Sequence, residues 1–302
     1  MGTPDFAKAH LEALIDSGQN VTAVISQPDK PKGRKKILTA PPVKELALQR
    51  GIDVYQPETL KDGAIEDILK KHSPDILVVV AYGKILPEYV LSYPKYGCIN
   101  VHGSLLPKYR GASPVQTAII EGESETGVTV MYMDKGMDTG DIILKETCKI
   151  EIDDDQTALF SRLEKVGCSA LLKALSQIEN GTAAREKQDD SRATYAHMLT
   201  AETGRIDWSK PAKAVHDLVR GTYPWPAAFA FIGGKKIKIT KTETAEGEGE
   251  PGTVLSEDKT GLKVACGSGA VRILRLQAEG GKEMAASDYL RGHKIENGTK
   301  FD

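Results

Sequence analysis

Apolar positions in the first half of the chain fall into short β-branched runs separated by stretches of helical spacing, the pattern of a βαβ sheet. Residues 21–26 and 52–56 read as short strands, and residues 60–72 as an amphipathic helix. Residues 75–82 (DILVVVAY) are apolar on both faces, as expected of a buried central parallel strand. Residues 97–101 read as another strand and 113–121 as a helix. Residues 126–134 (TGVTVMYMD) alternate, and 142–151 are positioned to return as their antiparallel neighbour. Apolar residues at helical spacing mark one long helix over 156–177.

Beyond residue 180 the pattern changes. Residues 182–207 are polar and irregular and read as a linker between a domain at 1–181 and another at 208–302. The second domain opens with a helix at 212–221. Short strands follow at 227–232, 236–242, 252–255, 261–266 and 270–277, punctuated by glycine, which predicts a small β-barrel. The run 243–250 (ETAEGEGE) reads as a solvated hairpin loop. The fold class is therefore α/β: a Rossmann-like, mostly parallel sheet followed by a small barrel.

The opening residues Met1-Gly-Thr-Pro-Asp-Phe-Ala have the form of a strand-to-helix turn, yet no strand feeds it. A βαβ sheet normally begins with an apolar strand at this point. Either the true start lies upstream and Met1 is internal, the favoured expectation, or the protein lacks a strand that would sit inside the sheet.

Composition narrows the class. A length of 302 residues favours two domains, and 40% hydrophobic with 27% charged residues is an ordinary globular balance. The longest apolar run, 76–82, is too short for a membrane span, and no leader is evident, so a bacterial cytoplasmic location is expected. The four cysteines form no C-x-x-C pair, which speaks against zinc; no metal is expected. Net charge is only −2, but residues 28–44 carry Lys30, Lys32, Arg34, Lys35, Lys36 and Lys44 against the single acid Asp29. Such a run is usually a solvated loop; its length and prolines suggest an insertion.

Two segments carry candidate chemistry. In Asn100-Val-His102-Gly-Ser-Leu-Leu-Pro107, Asn100 and His102 stand two apart on a strand and share one face at its carboxyl end, the edge where open α/β sheets bind ligands. A lone strand-end histidine would more often bond a nearby carbonyl, but here Tyr109-Arg-Gly-Ala-Ser-Pro follows at once. The second segment, Met133-Asp-Lys-Gly-Met-Asp138-Thr-Gly-Asp141, lacks the spacing and terminal glutamate of a calcium loop. Asp and Gly favour turns in any case; as a functional loop it can bring Asp138 against His102.

With these segments in their order, together with GTPDFA, QPDKPKGRKK, AYGKILP and IDWSKPA…YPWP, the chain resembles the methionyl-tRNA formyltransferase family over nearly its whole length. NVHGSLLP and the MDxGxDTGDI pattern are shared with the wider folate formyltransferase class; the basic loop and the C-terminal domain point to tRNA. The resemblance implies a catalytic trio of Asn100, His102 and Asp138. It implies a tetrahydrofolate-binding stretch at Ser104, Leu105, Leu106 and Pro107, with Tyr82, Gly83, Ile85 and Leu86 bordering the pteridine. For Ile85 and Leu86 plain apolar packing is an equal reading. It further implies an OB-like second domain and a tRNA clamp of Lys30, Arg34, Lys35 and Lys36, Arg34 matching the family's key arginine and Lys35 standing where many relatives have glycine. Alternating Lys235, Lys236, Lys238 and Lys241 can track RNA or simply be solvated, and Trp208 and Trp225 are expected in packing rather than in base stacking.

The implied reaction moves the formyl group of 10-formyltetrahydrofolate to the α-amino group of methionyl-initiator tRNA, with the protein acting as a monomer. A free α-amino group titrates at roughly 7.7–8.0, so the nucleophile needs little activation; the developing oxyanion needs donors, which Asn100 and a protonated His102 can supply. Two alternatives remain at this stage. A sugar-nucleotide N-formyltransferase shares the trio but has no need of the basic loop, and a non-catalytic RNA-binding protein has no need of the trio.

Overall fold

The protein is described from a computed structural model covering residues 1–33 and 36–302; Arg34, Lys35 and the side chain of Asp258 lie outside the described residues. Two compact units emerge. The first comprises residues 1–111, 126–148 and 160–195, the second 112–125, 149–159 and 196–302.

In the first unit, strand Ala23–Ile25 pairs in parallel with Asp53–Tyr55, and Leu77–Val79 pairs in parallel with Cys98–His102. Cys98–His102 then pairs antiparallel with Glu125–Tyr132, and Ile142–Lys149 forms the far edge. The apolar run at 75–82, expected as a central strand, instead forms Leu77–Val79 at the edge of its four-stranded sheet. Val79 and Tyr82 are buried in a core with Ile25, Leu69 and Leu86, and Val80 is buried beside Gly2. The helix expected at 60–72 is shorter, Glu66–His72, because Asp62 and Gly63 both adopt positive φ and turn the chain before it. The basic stretch is an antiparallel ribbon, Lys30–Lys32 on Ile37–Thr39, rather than an unstructured loop.

The place where a first strand was expected is a gap. Met1 and Gly2 stand between the carboxyl ends of Ala23–Ile25 and Leu77–Val79: Gly2 N donates to Ile25 O at 3.0 Å, Val80 N to Met1 O at 2.9 Å, and Gly2 bridges Val80 in parallel. Alongside the rest of both strands lies a cavity of about 380 Å³ whose lining mixes apolar side chains, among them Leu11, Val24, Leu69 and Leu77, with polar ones such as His10, Asn20 and His72. The Met1 amine donates to Val78 O at 2.6 Å, and burial pushes it down to about 6.

In the second unit, strands run in the order Ala228–Ile232, Lys235–Ala245, Ala270–Ala278, Gly261–Ala265, Val254–Asp258, each antiparallel to the next. Gly233 and Gly234, both at positive φ, make the tight first hairpin. The strand expected at 236–242 continues to Ala245, paired with Ala270, so the acidic loop is shorter than its composition suggested. Bridges from Phe301 to Ile232 and from Lys300 to Thr253 tie the C-terminal residues to both edges, an OB-like arrangement. Helix Ala212–Thr222 buries Val215 and Val219 in a core with Ile237, Ile239 and Ile273. Trp208 is in that core beside Phe301, whereas Trp225, expected in packing, is 59% exposed. Lys236 lies over the Phe229 ring at 3.5 Å, while Lys235 and Lys241 are exposed.

Candidate active site

Asn100 and His102 end the strand Cys98–His102, whose neighbour Leu77–Val79 is parallel, so both sit at the carboxyl side of the sheet. Asn100 Nδ2 donates to Val79 O at 3.2 Å, which among the described residues leaves its second N–H uncommitted. His102 is buried. Its Nε2 meets Tyr109 O at 2.9 Å, the bond expected of an ordinary strand-end histidine. Its Nδ1, however, faces Asp138 Oδ2 at 3.6 Å. The two ring nitrogens thus face one acceptor each, the Tyr109 carbonyl and the Asp138 carboxylate.

The glycine-rich loop after Glu125–Tyr132 delivers Asp138, which adopts φ 57°. Gly111 N donates to its Oδ2 at 2.8 Å. Asp134 closes the loop's own turn by accepting from Gly136 N and the Thr139 hydroxyl, so the aspartates divide between turn formation and His102. Gly140 is required here, since any Cβ would overlap Tyr132 O.

The expected folate stretch divides by depth. Ser104 is fully buried: its hydroxyl donates to Lys108 O at 2.6 Å, and its carbonyl accepts from the Thr129 hydroxyl. Leu106 packs with Met131 and Ile142, and its N–H donates to Thr129 Oγ1 at 3.0 Å. Leu105 and Pro107 are half-buried. The second group divides likewise. Leu86 belongs to the core; Tyr82 is buried, its hydroxyl pushed up to about 12 by desolvation. The Tyr82 carbonyl accepts from Gln27 Nε2 at 2.8 Å, and a Cβ on Gly83 would meet that same Nε2. Ile85, by contrast, projects its apolar side chain and is 88% exposed.

Of the basic residues, Lys30 reaches Gln27 Oε1 at 2.9 Å, Lys32 and Lys36 are exposed, and Arg34 and Lys35 lie outside the described residues. Lys44 is not a free charge: it pairs with Asp29 at 2.9 Å, and bonds from Gln56 and Lys44 hold that carboxyl below its ordinary range.

Several residues at the site carried no sequence signal of their own. Gln188 and Thr194 come from the stretch read as a linker, and each bonds groups far away along the chain. Thr194 Oγ1 accepts from Tyr109 N at 2.9 Å, and Gln188 Nε2 donates to the carbonyls of Asp138 and Gly140.

The Formyl transferase family model matches residues 1–175, and the Formyl transferase C-terminal domain model matches residues 198–294. The chain is 49% identical to the methionyl-tRNA formyltransferase of Geotalea daltonii, covering 100% of this chain and 96% of the relative. It is 50% identical to that of Caldanaerobacter subterraneus subsp. tengcongensis, covering 99% and 97%. Among solved structures it resembles an N-formyltransferase from Helicobacter canadensis, determined with folinic acid and dTDP-3-aminofucose. The TM-score is 0.67, identity 20%, and coverage 94% of this chain and 97% of the other. At that identity the likeness establishes the fold. Both family models and the full-length relatives agree: the chain belongs to the methionyl-tRNA formyltransferase family.

Proposed function

We propose that the protein transfers the formyl group of 10-formyltetrahydrofolate to the α-amino group of methionyl-initiator tRNA. The observation that carries this reading is the approach of Asp138, from its own loop, to 3.6 Å from His102 Nδ1 beside Asn100 at the sheet's carboxyl edge. The names of the full-length relatives support the acceptor, and folinic acid in the Helicobacter neighbour supports a folate donor.

In the proposed reaction the neutral amine attacks the formyl carbon, and negative charge develops on the formyl oxygen. The uncommitted N–H of Asn100 and an N–H of His102 face that oxygen, His102 releasing its bond to Tyr109 O or Asp138 to do so; one such donor is worth roughly 10²–10³ in rate. The donor's carbon–nitrogen bond then breaks as the new one holds. The amine's proton passes to the departing nitrogen, with Asp138 as relay. Ser104, Leu105, Leu106 and Pro107 border the folate chiefly through backbone, the side chains of Ser104 and Leu106 being committed to the fold. Tyr82, Gly83 and Leu86 form the adjoining wall, and Ile85 presents apolar surface to the pteridine. Lys30, Arg34, Lys35 and Lys36 hold tRNA phosphates. The protein acts as a monomer in the bacterial cytoplasm; no described helix is long and apolar enough to cross a membrane.

The test is a formylation assay with 10-formyltetrahydrofolate in which charged initiator tRNA, charged elongator tRNA and a UDP-aminosugar compete. Preference for the initiator is expected. Turnover of the sugar alone would keep the trio and discard the tRNA reading.

A further inference from the structure

We infer that Gln188 is a positioning residue for the reaction, holding Asp138 in place for His102 and itself held by Arg110. The inference rests on the reading of His102 and Asp138 as a working pair. Its geometry is independent of that reading. The Gln188 carboxamide is used at both ends: Oε1 accepts from Arg110 Nε at 3.1 Å and Nη2 at 2.8 Å, while Nε2 donates to Asp138 O at 2.8 Å and Gly140 O at 2.9 Å. Those two carbonyls bracket the turn that aims Asp138. The residue between the bonds' anchor and the site matters too, since Asp138 sits at φ 57°, a backbone region that a residue with a Cβ keeps only where its surroundings dictate it.

Arg110 makes the tether rigid. It is 2% exposed, and its guanidinium also meets Asp190 at 2.7 Å. Its neighbour Gly111 supplies the N–H that holds Asp138 Oδ2, so one short segment fixes both the carboxylate and, through Gln188, the backbone behind it. The same polar stretch holds the other partner of His102. Thr194 receives the Tyr109 N–H, and Arg110 N donates to Thr194 O at 2.9 Å, which sets the Tyr109 carbonyl on His102 Nε2. Residues 188–194 thus brace both acceptors that the imidazole faces.

Only a carboxamide suits position 188, because one end must accept from a cation and the other must donate to two carbonyls. This gives a discriminating pair of variants. Gln188→Glu keeps, and strengthens, the bond to Arg110 but points a carboxylate oxygen at two carbonyl oxygens. Gln188→Ala removes both ends. The assay would follow kcat, KM for 10-formyltetrahydrofolate and for the charged tRNA, and the pH dependence of kcat, with circular dichroism to verify folding. Both variants are expected to lose about 10–100-fold in kcat with both KM values nearly unchanged, and to show a displaced pH profile as the pairing of His102 with Asp138 loosens. Asp138→Asn run alongside separates the two layers. Full loss there with normal kcat and pH profile in both Gln188 variants would overturn the positioning role alone. Normal turnover in Asp138→Asn would sink the catalytic pair and this inference with it. A purely structural brace would appear as activity restored by Gln188→Glu, since that change preserves the Arg110 tether; should Gln188→Ala fail to fold, this isosteric variant still decides the matter.

Discussion

Gly111 N donates to Asp138 Oδ2 at 2.8 Å, so the carboxylate that faces His102 is aimed by a backbone amide from the other side of the site. A backbone donor cannot be removed by a side-chain change, and it fixes which oxygen faces the imidazole. The remaining freedom of Asp138 lies in its backbone, which is where glycine chemistry enters.

Gly140→Ala tests that backbone. A Cβ at this position would overlap Tyr132 O, a backbone atom that cannot swing aside, so the loop must shift. The expected result is a folded protein with kcat reduced about 10–100-fold, since misplacement by about 1 Å can cost 10²-fold. Wild-type kcat would mean that the loop tolerates displacement and that Asp138 is not held to a fixed position.

Asn100→Ala and His102→Ala are expected to reduce turnover by at least about 10²-fold while leaving tRNA affinity nearly intact, because both residues address the reacting oxygen. Filter binding of charged tRNA beside the kinetic assay makes the comparison. Parallel loss of affinity would reassign both residues to acceptor binding.

The ribbon offers a contrast between two lysines. Lys32 is exposed on the strand Lys30–Lys32, whereas Lys44 is already paired with Asp29. If the ribbon holds phosphates, Lys32→Ala lowers the slope of log affinity against log salt by about 1, and Lys44→Ala leaves that slope unchanged. Equal effects would show that net charge alone, rather than this ribbon, governs binding. Arg34→Ala is expected to raise the KM for tRNA far more than that for the folate.

The contrast between what the chain announces and what it conceals is visible at these residues. Asn100 and His102 are legible because a strand's period of two puts them on one face, whereas the DILVVVAY run announces a strand but not its place, since Leu77–Val79 stands at the edge of its sheet. Asp138 is half legible: composition marks a turn, but which of three aspartates meets His102 depends on the loop's closure through Asp134. Gln188 is not legible. Its partners Arg110 and Asp138 lie 78 and 50 positions away, and a polar residue in an irregular stretch looks the same whether it bonds water or a buried loop. Trp225 misleads for the opposite reason: a large aromatic is expected in packing, yet its side chain is 59% exposed.

The gap beside Met1 yields a prediction about stability. Among the described residues, Leu77–Val79 and Ala23–Ile25 each have a strand partner on one side only, and Met1 and Gly2 supply just the corner of a strand between them. The Met1 amine is buried there and pushed down to about 6 from an ordinary 8.0. The unfolded chain therefore binds more protons than the folded one between those values. Stability rises with pH through that window, is lost as pH falls from 8 to 6, and changes no further below, a span worth roughly 3 kcal/mol. Melting curves of this chain should accordingly drop by several degrees between pH 8 and pH 6. A version extended upstream of Met1 by five β-branched apolar residues replaces the amine with a peptide N–H, fills the cavity and pairs both strand edges. It is expected to melt higher at every pH and to lose most of the drop between pH 8 and 6. An extended chain that melts at the same temperature, with the same pH dependence, would show that the two strand edges gain nothing from a strand between them.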